Sequence, residues 1–428
     1  MTPKIFTLII FFACYGLILS RKIKPFLVCF AGILILLIFR VVTLNQAAAA
    51  IDYNVLGVFL GTMILSSLFI HSGVPAYLAA GLVNKSQRVG IALILVCALS
   101  SFISSFTENI ATVLIVAPLA LELASVLSIS PVPLLIGISL SANLQGCATM
   151  IGDPPSIILA MESGMNFNDF FWMPAWKAGG LGKLGIFFAV QIGALGSFFV
   201  LWNIFRRFKQ KPKAIDLVKP RTWMPTWLLI VMTLSLVVSS FLPNRPQYML
   251  AGICLFWGLI GIIWHAMSKR AFISPVKDLD WESFFFLIGI FILVGSLSYC
   301  GIIEDIARYI SFLSGQNVLF AYSLIIVISV VVSAFVDNIP YTLAMIPAVK
   351  MVAADLGVSM YPFLFGLLIG ACVGGNITPI GSVCNIVTVG LLRRKGYQVK
   401  FSEFFRVGLP FTIVAVFLGS LFIWLTWM

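Results

Sequence analysis

Thr107-Glu108-Asn109-Ile110 and Val336-Asp337-Asn338-Ile339 set an acid beside an amide twice in a chain that is 61% hydrophobic. The two motifs lie 229 positions apart (336 minus 107), and the same offset joins Thr149-Met150-Ile151-Gly152 to Thr378-Pro379-Ile380-Gly381. Carboxylates, carboxamides and freed backbone carbonyls are the oxygens that hold a proton or a hard cation such as Na+. Matched, Gly/Pro-interrupted segments in two halves of an apolar chain point to the binding site of a secondary transporter.

The first motif sits in Ser104-Ser105-Phe106-Thr107-Glu108-Asn109, midway along the apolar stretch 89–127. As the tip of a hairpin it lies deep in the membrane, where its freed N–H and C=O groups must face protein or a polar cavity. Glu108 at that depth is a functional candidate; the plain alternative is that Glu108 and Asn109 only cap the returning arm. The twin tip repeats the logic, and Pro340 suits the first turn of its returning helix. Beyond each tip lies a break. Pro154-Pro155 cannot continue a helix from Gly152, so the span unwinds and restarts near Pro155 with a positive dipole end and free N–H groups. Thr149, Asp153 and Ser156 supply oxygens there. In the second break, Gly374-Gly375-Asn376 through Asn385, Ser382 stands where Asp153 stands and Asn385 where Ser156 stands. A kink without a ligand is the plain alternative. The candidate substrate- and ion-binding residues are Thr107, Glu108, Asn109, Thr149, Gly152, Asp153, Ser156, Asp337, Asn338, Asn376, Thr378, Gly381, Ser382 and Asn385. Na+ candidates cluster near Glu108, Asn109, Asp153, Asp337 and Asn338. Three converging carboxylates repel one another unless neutralised, so H+ or Na+ belongs to the cycle as coupling ion. No other cofactor is implied.

The positioning elements are membrane helices. Of 428 residues only 10% are charged, and mean hydropathy is +1.09. Apolar runs of roughly 17 to 25 residues are long enough to cross the bilayer. They fall at 5–20, 24–44, 52–82 (a span running into a surface helix), a pair of arms 89–127, a broken span 131–163 and 178–205. The second set is 222–243, 247–267, 281–313, arms 318–356, a broken span 361–392 and 403–428. The first run has no small-residue cleavage site and leads into Arg21-Lys22-Ile23-Lys24, so it reads as a retained span rather than a signal peptide. The net charge of +12 sits in short loops, a mark of topology rather than of nucleic-acid binding. Arg21/Lys22/Lys24, Lys85/Arg88, Arg206 to Arg221, Lys269/Arg270/Lys277 and Arg393/Arg394/Lys395/Lys400 can all face the cytoplasm only if 89–127 and 318–356 each return to their own side. Each half then crosses five times, and an odd number makes the halves inverted repeats.

The expected fold is an all-α polytopic membrane protein with ten transmembrane helices, two re-entrant hairpins, two broken helices and both termini outside. Its parts are a first repeat 1–208, a basic cytoplasmic linker 209–221 and a second repeat 222–428. Eight cysteines without a CxxC pair imply neither a zinc site nor a disulfide framework. His71 and His265 lie near span ends, away from any proton relay, and Glu122 and Lys350 sit in returning arms, away from the tips. Phe167 to Trp172 and Phe401 to Phe405 read as interface helices.

Gly152-Asp153-Pro154-Pro155, the acid–Asn tips and Gly374-Gly375-Asn376 through Asn385 resemble the arsenite permease, sodium–proton antiporter and P-protein group of the ion transporter superfamily, with citrate-transporter-like and divalent-anion sodium symporters as more distant relatives. The resemblance covers nearly the whole chain. It implies a multi-pass protein, here of the bacterial inner (plasma) membrane, a homodimer, and a transport domain moving against a scaffold as an elevator. Where dicarboxylate–sodium symporters carry Ser-Asn-Thr, this chain has Thr107-Glu108-Asn109 and Val336-Asp337-Asn338, which separates it from them. The expected function is H+- or Na+-coupled movement of a small anion or oxyacid that is arsenite-, silicate- or citrate-like. Na+/H+ antiport and an ion channel are the alternatives. An intramembrane aspartyl protease would need Gly-x-Gly before its second acid, and Asp337 follows Phe335-Val336 instead. No Gly-x-x-x-x-Gly-Lys loop is present for ATP drive.

Overall fold

The computed structural model describes residues 2–20, 22–126, 129–212, 216–243, 245–269, 274–277 and 279–428. Arg21, Lys213 and Arg270 of the basic clusters lie outside them. The first half runs through α1 (Pro3–Ser20), α2 (Pro25–Ile38), α3 (Leu44–Ala49), α4 (Tyr53–Ser72), α5 (Val74–Lys85), α6 (Val89–Ser104), α7 (Asn109–Val126), α8 (Val132–Gly146), α9 (Pro154–Ser163), α10 (Ala175–Ala178) and α11 (Ile186–Phe205). The second continues with α12 (Met224–Ser239), α13 (Met249–Lys269), α14 (Ser274–Lys277), α15 (Trp281–Tyr299), α16 (Ile302–Ser314), α17 (Val318–Ser333), α18 (Asn338–Asp355), α19 (Met360–Gly374), α20 (Val383–Arg394) and α21 (Phe401–Trp427). Among the described residues seven helices are long and apolar enough to cross a membrane alone. The shorter α2 and α12 and the tandem of α8 and α9 complete ten crossings, while α6–α7 and α17–α18 are the hairpins.

Local chemistry repeats with the fold. Asp52 caps α4, accepting from the Asn54 and Val55 N–H groups, and Asp280 caps α15, accepting from the Ser283 N–H. Gly73 (φ 77°) and Gly301 (φ 71°) follow these two spans in the left-handed conformation that lets the chain turn into the surface helices α5 and α16. Pro118 in α7 and Pro347 in α18 occupy matching places in the returning arms.

Packing follows the same exchange. The α4–α13 contact mirrors α2–α15, α6–α8 mirrors α17–α19, and α9–α18 mirrors α7–α20; α11 packs against its own counterpart α21. On the axis of this exchange, Asn143 Nδ2 donates to the Cys372 carbonyl at 2.8 Å across a separation of 229 residues, joining a position to its own counterpart.

Ion pairs agree with the charge-based topology. Lys24 meets Glu282 at 2.5 Å on one face. Lys4 pairs with Asp305 on the other, and its hydrogen bond holds the exposed Asp305 carboxyl below the usual carboxylate range. Lys183 Nζ donates to the Trp427 carbonyl at 2.6 Å, which puts the end of the last span beside the loop before α11. Lys350, in a returning arm, pairs with Glu162 of the other half at 3.5 Å.

Four details differ from the sequence reading. Phe167 to Trp172 is not an interface helix: Asn168–Phe170 forms one 3-10 turn, and β1 (Trp172–Met173) pairs antiparallel with β2 (Lys183–Leu184). Asn168 is held from the second half, its Nδ2 donating to the Val237 carbonyl at 3.2 Å, and local polar contacts complete the turn. Asp169 accepts from Lys177 at 2.5 Å, with side chains only 2% and 10% exposed, and from the Asn166 N–H at 2.7 Å. Phe401 to Phe405 is the first turn of α21 rather than a separate interface helix. The second span stops at Ile38, and Arg40 (φ 53°) reverses the chain before a Thr43/Gln46 capping box starts α3. Finally, the linker does more than mark topology. The Gln210 and Phe208 carbonyls accept from the Val89 and Gly90 N–H groups at 2.8 and 3.0 Å, satisfying donors at the start of α6 that its own helix leaves unpaired.

Candidate functional site

Each tip is clamped to the break of its own half by the same hydrogen bonds. Thr149 Oγ1 donates to the Ser105 carbonyl, and Thr378 Oγ1 to the Ala334 carbonyl. Ser156 Oγ donates to the Gly146 carbonyl at 3.2 Å, and its counterpart Asn385 donates through Nδ2 to the Gly375 carbonyl at 2.9 Å and the Thr378 carbonyl at 3.1 Å. Gly152 and Gly381 are where the backbones meet: a Cβ there would lie 2.5 Å from the Gly146 oxygen and 2.6 Å from the Gly375 oxygen. These bonds answer the lipid-buried backbone problem of an unwound span. They also occupy much of the polar set. Thr107 donates to the Ile103 carbonyl, and Asn376 Nδ2 donates to the Leu140 carbonyl. Asn109 accepts from Ser104 at 2.5 Å and donates to Asn143 at 3.2 Å. Asp337 caps α18, accepting from the Ile339 N–H at 3.1 Å.

Across the halves the structure brings Asp153 to Asn338, whose Nδ2 donates to the carboxylate at 3.0 Å; the Cys372 thiol lies 4.0 Å from the same oxygen. Asp153 is 7% exposed. It stands at the N-cap of α9 without capping it, so its carboxylate is turned to the other half. Asp337 lies within Coulombic reach of it, and Glu108 is within reach of both Asp153 and Asp280. The three candidate acids therefore do share one region. A cavity of about 230 Å³ reaches Asp337 and is lined also by Tyr15, Pro25, Asp280, Glu282 and Ile380 among others. Pro25 and Glu282 in its lining put one end at the Lys24–Glu282 face.

The two restarts differ in what they offer a ligand. The sequence reading expects free N–H groups at both, but Pro154 and Pro155 occupy the first two positions of α9 and carry none. The Ser156 N–H is taken by the Asp153 carbonyl at 3.0 Å. At α20 the equivalent positions are Val383 and Cys384, which keep theirs, and Ser382 makes no cap bond. The first restart thus presents a carboxylate and the second presents N–H dipoles.

Sequence reasoning missed Asn143 as a site residue. Its amide is fully buried and bonds Asn109, Asn376, Ser382 and the Cys372 carbonyl. The available signals were a carboxamide inside an apolar helix and its offset to Cys372. Asp280 was missed as well; only its place at the start of a span marks it.

The chain is similar over most of its length to known membrane proteins. An uncharacterized transporter of Mycobacterium tuberculosis strain H37Rv is 30% identical, with 97% of each chain covered. The P protein of Sus scrofa is 26% identical over 89% of this chain and 54% of its own length. Among solved structures, the YdaH transporter of Alcanivorax borkumensis, described as having an unusual topology, superposes with a TM-score of 0.60 at 14% identity, covering 87% of this chain and 84% of that one. The family model for citrate transporters matches residues 15–370. With paired broken helices, re-entrant hairpins and buried acids at their meeting point, the chain is a multi-pass membrane transporter and belongs to the citrate transporter family.

Proposed function

We propose that this chain is a secondary active transporter that moves a small anion or oxyacid, arsenite-, silicate- or citrate-like, coupled to H+ or Na+. The observation that carries the reading is Asp153. A carboxylate buried among apolar helices and shared with the opposite hairpin is stable as a charge only with a compensating cation, and otherwise takes up a proton. The α20 start, with its N–H groups and uncapped Ser382, supports an anion beside it. A name for the family that includes citrate fits the same chemistry. The cavity leading from the Lys24–Glu282 face to Asp337 is then the cytoplasmic vestibule of an inward-facing state, and a homodimer with elevator motion of the hairpins is the working assembly. Na+/H+ antiport is the second reading, favoured by the closeness of Glu108, Asp153 and Asp337.

The test uses purified protein in proteoliposomes loaded with a pH-sensitive dye. Na+, Li+, K+, arsenite, silicate and citrate are added one at a time, with Asp153→Asn alongside. A lumenal pH change only with an anion or oxyacid, absent in the variant, is the expected result. A change with Na+ or Li+ alone replaces the anion reading with antiport. Non-saturable flux would make the protein a channel.

A further inference from the structure

We infer that Asn143 is a positioning residue for transport, holding the first hairpin tip and the second break in register from the pseudo-two-fold axis. A carboxamide has two N–H donors and two acceptor lone pairs, and all four are used. Nδ2 donates to the Cys372 carbonyl at 2.8 Å and to Asn376 Oδ1 at 3.0 Å. Oδ1 accepts from Asn109 Nδ2 at 3.2 Å and from Ser382 Oγ at 3.3 Å. The Cys372 carbonyl can only accept, which fixes which end of the amide is nitrogen. A buried network in which every member is satisfied is rigid, and losing its hub leaves several polar groups without partners at once.

The network is one-sided. The counterpart of Asn143 is Cys372, a thiol that lies 4.0 Å from Asn338 Nδ2 and makes at most a weak bond there. The first tip and second break are thereby locked together, whereas the second tip meets the first break chiefly through Asn338 and Asp153. Asn143 sits on α8, yet it acts on Asn109, Asn376 and Ser382, candidates from two other elements. The inference rests on reading those segments as the transport site, so its first measurement needs no substrate.

Hydrogen–deuterium exchange on the full chain in nanodiscs compares wild type with Asn143→Ala. Faster exchange is expected at 104–112 and 376–385, with 149–156 and 333–340 unchanged. A uniform rise, or none, overturns the inference. Should Asn143→Ala not give monodisperse protein, Ser382→Ala probes the same link from its far end: exchange must rise at 104–112, and an unchanged tip overturns it equally. In proteoliposomes assayed with citrate and arsenite, Asn143→Ala should raise KM about tenfold with a smaller fall in maximal rate. Combined with Ser382→Ala it should raise KM no further than Asn143→Ala alone, because Ser382 reaches the tip through its hydrogen bond to Asn143. Additive effects would separate the two residues and refute a shared positioning role. Exchange that behaves as expected without transport of either probe would leave Asn143 in place and count against the proposed substrates.

Discussion

Asp153 and Ser382 occupy the same position in the two halves and do different work. Asp153 accepts from Asn338 across the halves, while Ser382 donates to Asn143. Thr149 and Thr378, by contrast, do the same work twice, each closing a break onto a hairpin carbonyl. Replacing either threonine with valine keeps the side-chain shape and leaves the Ser105 or Ala334 carbonyl buried without that donor. Each substitution should lower stability by about 1–3 kcal/mol, and the two should fall close together because the clamps are equivalent. Thermal unfolding in detergent checks this. A large loss at one threonine with none at the other would show that the halves do not share one closing geometry.

The breaks themselves are legible in the residues alone. Pro154-Pro155, the flanking glycines and the 229-residue offset force two unwound segments whatever surrounds them. The hairpin tips are legible for a similar reason, since five basic clusters permit only one set of crossings. What the sequence hides is decided by partners far along the chain. Phe167 to Trp172 looks amphipathic, but Asn168 is bonded to the Val237 carbonyl of α12, 69 residues away, and does not continue as a helix. Asn143 carries no local mark of its four partners. The proline pair that identifies the first break also removes the N–H groups that a generic restart would offer, so one motif is a sound guide to geometry and a poor one to chemistry. The geometry predicts the effect of filling the second break. A Cβ at Gly381 would lie 2.6 Å from the Gly375 oxygen and 2.7 Å from the Ala334 oxygen, both backbone atoms that cannot swing away. Gly381→Ala should therefore abolish uptake in proteoliposomes, whereas Gly390→Ala, which meets nothing within 4 Å, should transport like wild type. Normal uptake by Gly381→Ala would mean that the break does not need to close as it does here.

At the scale of the whole molecule, inversion depends on each hairpin returning to the face it entered. Lys85 and Ser130 bracket the first hairpin, Gln316 and Ser359 the second, and all four are exposed. Seven of the eight cysteines are buried and Cys300 is half-buried, so replacing Cys300 with serine gives a quiet background for single added cysteines. In intact cells a membrane-impermeant maleimide should label Gln316→Cys and Ser359→Cys. It should reach Lys85→Cys and Ser130→Cys only after permeabilisation. The pairs are the discriminating feature, because a full-length crossing by either arm would separate the two members of a pair onto opposite faces. Such a split at one hairpin would change that half from five crossings to an even number, and the two halves could no longer be inverted copies. Agreement within both pairs but with all four on one face would leave the hairpins intact and make the repeats parallel. Only the crossed pattern, one pair on each face, lets the second tip enter from the side opposite the first and reach the first break, as Asn338 reaches Asp153 at 3.0 Å.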